Sequence, residues 1–199
     1  IERMFLVTNE KFSGDFAAWA DDHEGPKSIE VLNDGTTSNE DRLGAIGDIQ
    51  FVIDNADVRT DKGVYALGTD NLADFDITEI VDLALEKDAT AVFASRIEDR
   101  QRLCRMGVAR VDDDGRVVEF VEKPEDPPSQ LAVPPFYAYS PEAAGLVPTY
   151  LEEGNDPDAP GNFLAWLIHR HTVYARPVDQ PPRDIGTVES YRRAQREFE

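Results

Sequence analysis

From Met4 to Ser95 the chain alternates between two hydrophobic periods, and that alternation narrows the fold more than any other feature. Met4 to Thr8 is a short apolar run suited to a buried strand. Asn9 follows as an N-cap, and Phe12, Phe16 and Trp19 fall at helical spacing, a stripe expected in the core. Ser28 to Leu32 alternates and ends at the turn Asn33-Asp34-Gly35. Leu43, Ile46, Ile49, Val52 and Ile53 mark an amphipathic helix. Gly44 and Gly47 lie near its start, where a missing side chain permits close approach of a ligand or a neighbouring element. Val64 to Leu67 is a third strand, closed by Gly68-Thr69-Asp70-Asn71. Asp76-Ile77-Thr78-Glu79 reads as a capping box opening a helix, and Thr90 to Ser95 as the next strand. Strand and helix in turn predict a layered α/β architecture on a mainly parallel sheet.

After Gly107 the period changes. Val108 to Val111 and Arg116 to Val121 make a β-hairpin around Asp114-Gly115. Leu131 to Tyr139 is extended, with Pro134-Pro135 implying an edge or a bulge. Ser140-Pro141 opens a helix by N-cap and N1 proline. Gly154 to Pro160 is a loop before an apolar helix through Phe163, Leu164 and Leu167. Thr172 to Val178 is a strand, Asp184 to Thr187 a loop, and Val188 to Phe198 a closing helix capped by Thr187. There is no internal repeat and no evident linker, so residues 1–199 read as a single domain.

Charge and cysteine content remove several function classes. The net charge is -20, spread from Asp15 to Glu199 with only five lysines. An evenly acidic surface on a chain with periodic apolar segments suits solubility in high salt, a halophilic habit. It disfavours nucleic acid and anionic membrane, which need a basic face. Cys104 is the only cysteine, so an internal disulfide and a cysteine metal cluster are excluded. No apolar run reaches membrane-spanning length and no signal peptide is visible, which fits a cytoplasmic protein. His169 and His171 lie two apart and cannot face one way on a helix, so a helix-end role is expected of them, not metal binding.

Two stretches carry polar groups where a ligand could use them. Thr69-Asp70-Asn71 places a carboxylate and an amide at a strand's C-terminal end, where open α/β sheets bind ligands. Glu122-Lys123-Pro124 ends a strand in a carboxylate and an ammonium, with Lys123 expected to be extended before the proline. Glu122 can accept hydrogen bonds from hydroxyls and Lys123 can meet an anion; the ordinary alternative is a solvated strand end.

The order of these pieces resembles the sugar-1-phosphate nucleotidyltransferases, in particular the glucose-1-phosphate thymidylyltransferase-like members. The matching residues are Thr69-Asp70-Asn71-Leu72, Gly107 before a hairpin, Val121-Glu122-Lys123-Pro124, the Gly154-Asn155-Asp156-Pro157 loop, and Asp184-Ile185-Gly186-Thr187 followed by Glu189-Ser190-Tyr191. The chain differs from the family pattern at Thr69, Pro135 and Arg183. The resemblance implies a Rossmann-like α/β/α nucleotidyltransferase fold with a mixed, mainly parallel sheet and a β-hairpin insertion. It implies that Asp70 and Asp184 share a Mg²⁺ and, with Lys123, form the catalytic set. Glu122 would hold sugar hydroxyls, Lys123 the sugar phosphate, the Gly107 backbone the sugar edge, and Gly44 would lie under the base; Asn71 and Tyr137 complete the substrate-binding residues. The reaction implied is transfer of an NMP group from a nucleoside triphosphate, dTTP or UTP, to glucose 1-phosphate with release of pyrophosphate. The alternative is a non-catalytic regulatory relative that binds the same ligands. Ile1 stands where the family's second strand begins, so the family's Gly-x-Gly-x-Arg segment, roughly 40 residues, is expected to be missing, and the chain as given to be inactive. Many members assemble, which leaves a homo-oligomer open.

Overall fold

A computed structural model of the chain describes residues 1, 3–56, 58 and 60–198. In chain order the strands and helices are β1 (Met4–Thr8), α1 (Ser13–Asp21), β2 (Ile29–Asn33), α2 (Ala45–Asn55), β3 (Val64–Leu67), β4 (Asn71–Leu72), α3 (Glu79–Lys87), β5 (Thr90–Arg96), α4 (Arg100–Leu103), β6 (Gly107–Val111), β7 (Val117–Glu122), β8 (Leu131–Val133), β9 (Phe136–Tyr139), α5 (Pro141–Gly145), α6 (Val147–Glu152), α7 (Pro160–Leu167), β10 (Val173–Val178), β11 (Arg183–Asp184) and α8 (Val188–Phe198). The chain divides into two compact units, one of Ile1–Arg59 with Val147–Pro160 and one of Thr60–Leu146 with Gly161–Glu199.

In the first unit β1 pairs in parallel with β2, from Met4 opposite Ile29 to Thr8 opposite Asn33. Ile46 of α2 and Val147 and Tyr150 of α6 are its buried anchors. The aromatic stripe of α1 is not core: Phe12 is 43% and Trp19 49% exposed, and no residue of α1 is buried. Its helical spacing is as expected, but spacing fixes only which side chains share a face, not whether anything covers that face. Asn9 also acts one turn early. Its Oδ1 accepts from the Phe12 amide, ahead of the first helical residue.

The second unit is built on a seven-stranded sheet of order β3-β9-β5-β8-β6-β7, with β10 on the other side of β5. The layered α/β class is as expected, but the sheet is mostly antiparallel and not mainly parallel. Within it only β10 runs parallel to its neighbour β5. A tight turn accounts for β6 and β7, because consecutive strands joined that way must run antiparallel. The other antiparallel pairs join strands that are not consecutive, through β8 and β9 running against β3, β5 and β6. Pro134-Pro135 marks neither an edge nor a bulge. It splits one extended run into β8 and β9, both of which follow β5, while β8 also pairs with β6 and β9 with β3. A residue without an amide hydrogen can sit there because the ladder changes partners at that point.

Residues 90–95 of β5 are all buried, as expected of a central strand. On one face Ala91 and Phe93 pack with Ile80 of α3 and with Phe136 and Ala138 of β9. Phe75 meets Phe93 edge-on at 4.7 Å. On β9 the alternate residues Tyr137 and Tyr139 stack at 5.6 Å, and Tyr139 meets Phe163 of α7 at 5.4 Å. Ser140 caps α5 as expected, accepting from the Ala143 amide. Its hydroxyl hydrogen is then available to His171 Nε2, 2.9 Å away, and His171 Nδ1 lies 3.5 Å from Glu142. His171 therefore ties the turn after α7 to the start of α5. The Asp76 capping box does not form: Asp76 Oδ1 instead takes the Thr78 amide and hydroxyl in a local turn. Thr187 does cap α8, its Oγ1 accepting from the Ser190 amide. Among the described residues no helix is long and apolar enough to cross a membrane.

Candidate functional site

Two groups of polar residues form in the second unit. The first is made by the small antiparallel ladder of β4 and β11, in which Asp184 stands opposite Asn71. The Ile185 amide donates to the Asp70 carbonyl at 2.8 Å, which fixes the two turns against each other. Asp184 Oδ1 takes the Gly186 amide at 2.8 Å, and Asp70 Oδ1 takes the Asn71 side-chain amide at 2.7 Å. A Cβ on Gly186 would stand 3.0 Å from Asp184 Oδ1 and 3.9 Å from Asp70 Oδ2. Gly186 therefore keeps open a space flanked by both carboxylates, although 114 positions separate Asp70 from Asp184 in the sequence. The donors are hard oxygens and both carboxylates are exposed, which suits a hard divalent cation. Among the described residues no three His, Cys, Asp or Glu side chains gather around a common point, so an ion there would keep positions for water and ligand oxygens.

Arg183 braces this ladder. It reaches Asp74 at 3.0 Å and Glu197 of α8 at 3.2 Å, and Glu197 also pairs with Arg193. One guanidinium thus ties the segment after β4 to α8 from within β11.

The second group lies on β6, β7, β9 and α7. The hairpin register sets Gly107 opposite Glu122, and Gly107 also stands opposite Val133 of β8. A Cβ on Gly107 would lie 3.0 Å from Glu122 Oε2, so the carboxylate rests over a bare stretch of backbone. Gly161, the second residue of α7, approaches the same carboxylate: a Cβ there would overlap Oε2 and stand 2.8 Å from Cδ. Burial pushes the Glu122 carboxyl above the usual glutamate range, against the pull of the neighbouring Lys123. Tyr137 is 4% exposed, and burial together with the Glu122 charge raises its hydroxyl pKa. Among the described residues the Glu122 carboxylate makes no hydrogen bond or ion pair, and the charge acting on it is that of the adjacent Lys123. A half-buried acceptor with free oxygen sites is costly unless something else supplies the hydrogens.

The two groups share a row of strand ends. Gly107 faces Val133, and two residues on, the Pro135 carbonyl takes the Gly68 amide at 2.9 Å, just before Thr69-Asp70. Asp70, Asn71 and Asp184 are thus brought together, as are Gly107, Glu122 and Tyr137. Lys123 is exposed, and its backbone is not extended: φ is 47°, in the left-handed region, with its amide held by the Met106 carbonyl at 3.1 Å. The proline rule disfavours the right-handed helical region, and here the chain leaves it by the left-handed side because the hairpin bond holds the amide. Gly44 lies in the first unit. Its φ of 78° and the close approach of Pro157, whose carbonyl oxygen would sit 2.6 Å from a Cβ, account for the glycine by packing alone. Gly161 and Gly186 escaped the sequence reading as site residues. Gly161 had a cue: glycine just inside a helix start is less favourable than alanine, so its presence needs a reason.

Comparison with known proteins gives the family and the fold. A model of the nucleotidyl transferase family matches residues 1–199. Glucose-1-phosphate adenylyltransferase of Thermotoga maritima is 31% identical over 134 residues, covering 64% of this chain and 31% of that protein. UTP–glucose-1-phosphate uridylyltransferase of Synechocystis sp. is 29% identical over 152 residues, covering 75% of this chain and 38% of that protein. The chain therefore spans about a third of the length of the curated relatives it matches. Among solved structures, one described as a glucose-1-phosphate thymidylyltransferase from Bacillus anthracis in complex with sucrose has a TM-score of 0.76 at 20% identity, covering 99% of this chain and 76% of that one. At that identity the likeness is one of fold. With residues 1–199 matched by the nucleotidyl transferase family model and the relatives all acting on glucose 1-phosphate by name, the chain belongs to the sugar-1-phosphate nucleotidyltransferase family.

Proposed function

We propose that the whole protein transfers an NMP group from a nucleoside triphosphate to a sugar 1-phosphate, releasing pyrophosphate. The sugar is glucose, which the names of all three relatives share. The base is read as a pyrimidine, from dTTP or UTP, as the thymidylyltransferase-like order of motifs and the uridylyltransferase match support; the adenylyltransferase matches make ATP the competing donor. The observation that supports the reading most is Glu122: a half-buried carboxylate with unused acceptor sites, set beside the bare backbone of Gly107 and near Tyr137. That is what a sugar edge with vicinal hydroxyls requires. Lys123, exposed next to it, would meet the sugar phosphate as a point charge.

Asp70 and Asp184 would hold Mg²⁺ in the space that Gly186 leaves, with Asn71 fixing the Asp70 carboxylate by its amide. When bound, the ion would neutralise phosphate charge. A phosphate oxygen of the sugar 1-phosphate would bond to the α-phosphorus as the bond to the β-phosphate oxygen breaks. No general base is needed, because a phosphate monoester with a second pKa of about 6 is already anionic at neutral pH. The chain's own task is alignment and charge balance.

Pyrophosphate release from glucose 1-phosphate, tested with dTTP, UTP and ATP in Mg²⁺ and molar KCl, tests this reading. Release with a pyrimidine triphosphate is expected, and Asp184→Asn should lower it by on the order of 100-fold. A folded whole protein that releases none with any of the three would reject it.

A further inference from the structure

Glu122 is seated between two glycine backbones, and the two glycines serve it differently. At Gly107 a Cβ would run into the buried Phe120 ring, overlapping its tip and standing 3.1 Å from Cε2. A ring packed in a core has nowhere to move. At Gly161 the first atom met would be Glu122 Oε2, the free end of a flexible side chain, with Phe120 Cε1 farther off at 3.2 Å. The Gly161 backbone is ordinary helix, without a positive φ, so its conformation does not call for glycine. Helix propensity argues against glycine there. The room left for the carboxylate is the remaining reason for it.

We propose that Gly161 is a positioning residue for sugar binding: having no side chain, it lets Glu122 lie back against the start of α7 and keeps Oε2 beside Gly107. This rests on the reading of Glu122 as the group that accepts sugar hydroxyls. A methyl at position 161 drives the carboxylate off that seat, whereas the Phe120 ring, 3.2 Å from the added carbon, need yield only slightly and far less than at Gly107. Shortening Glu122 by one methylene empties the same space, so the two changes act on one contact and do not add.

The test is a four-member cycle: the parent chain, G161A, E122D and G161A/E122D. Glucose 1-phosphate affinity is measured by calorimetry and the Glu122 carboxyl by carbon NMR titration, with Lys123 and Tyr137, its titratable neighbours, unchanged throughout. G161A is expected to bind at least ~10-fold more weakly with its thermal midpoint retained, as when a misplaced group loses its hydrogen bonds. Its Glu122 should titrate lower than in the parent, because the displaced carboxylate is hydrated. The double variant should bind no more weakly than E122D alone. Parental affinity in G161A, or losses that multiply in the double variant, would overturn the proposal. If G161A does not fold, recovery of folding in G161A/E122D supports the seat and failure to recover overturns it. If the parent binds no glucose 1-phosphate, the sugar reading fails on its own account. The Glu122 titration then decides the seat by itself, and an unshifted carboxyl in G161A rejects it.

Discussion

Lys123 holds a left-handed backbone with a Cβ and a following proline, a conformation that costs of order 1 kcal/mol and is retained where the surroundings over-determine it. If that strain serves to aim the ammonium, removing it should help stability and harm binding. Lys123→Gly is therefore expected to melt higher than Lys123→Ala, by about 1 kcal/mol, while both bind sugar phosphate poorly. Equal melting of the two would mean that the position is unstrained. Glu122 carries a pH signature. Its carboxyl pKa is raised, so as pH falls it takes up a proton earlier than an ordinary glutamate does, and sugar affinity should weaken correspondingly early. An affinity that is flat down to the usual glutamate range would separate Glu122 from the sugar. Gly107→Ala, by contrast with Gly161→Ala, should lower stability by about 1–3 kcal/mol, because the Phe120 ring must yield.

Helix α2 contains a carboxylate whose cost can be measured. Asp48 stands in its first turn, where the helix end favours negative charge, yet burial and the nearby Asp34 push its pKa up to about 6. Its Oδ1 is buried with no hydrogen-bond partner among the described residues. The unfolded value is 3.8, so the folded state binds the extra proton between about pH 4 and 6, and stability falls as pH rises through that window. Asp48→Asn should therefore stabilise the chain at pH 8, by about 1 kcal/mol after allowance for solvent screening, and have little effect near pH 4. The same gain at both pH values would point to packing and not to charge. Strong local signals were legible in the sequence: β1, β3 and α8 have the predicted bounds, and Ser140 and Thr187 cap where they should. What the sequence hid was partnership. The α1 aromatics had the right spacing but no cover, and the antiparallel order of β8 and β9 depends on which strands lie beside them. The pairing of Asp70 with Asp184 was reachable only through the family resemblance, because a contact across so many residues leaves no periodic trace. The seat of Glu122 against Gly161 left only the odd glycine.

Taken as a whole, the molecule carries a net charge of -20 on 199 residues, and its surface must live with that repulsion. In dilute buffer the charges interact over roughly 30 Å, and at molar salt over about 3 Å, so the folded state gains most from screening. The thermal midpoint should be higher in molar KCl than in 0.01 M KCl; equal midpoints would leave the acidic surface without this explanation. On the proposed function such a surface would oppose the incoming phosphates, and Lys123 is the lysine that stands beside Glu122 to meet them. Binding of glucose 1-phosphate would then depend, on that same proposal, on Glu122 and Lys123 acting together within an otherwise repulsive field. Calorimetric titration of glucose 1-phosphate into the parent chain and into Glu122→Gln, at molar KCl and matched thermal midpoints, tests this most directly. The account predicts saturable binding by the parent and an affinity at least ~10-fold weaker in the variant, the loss expected when a charged acceptor of sugar hydroxyls is neutralised. Equal affinity in the two proteins would contradict it.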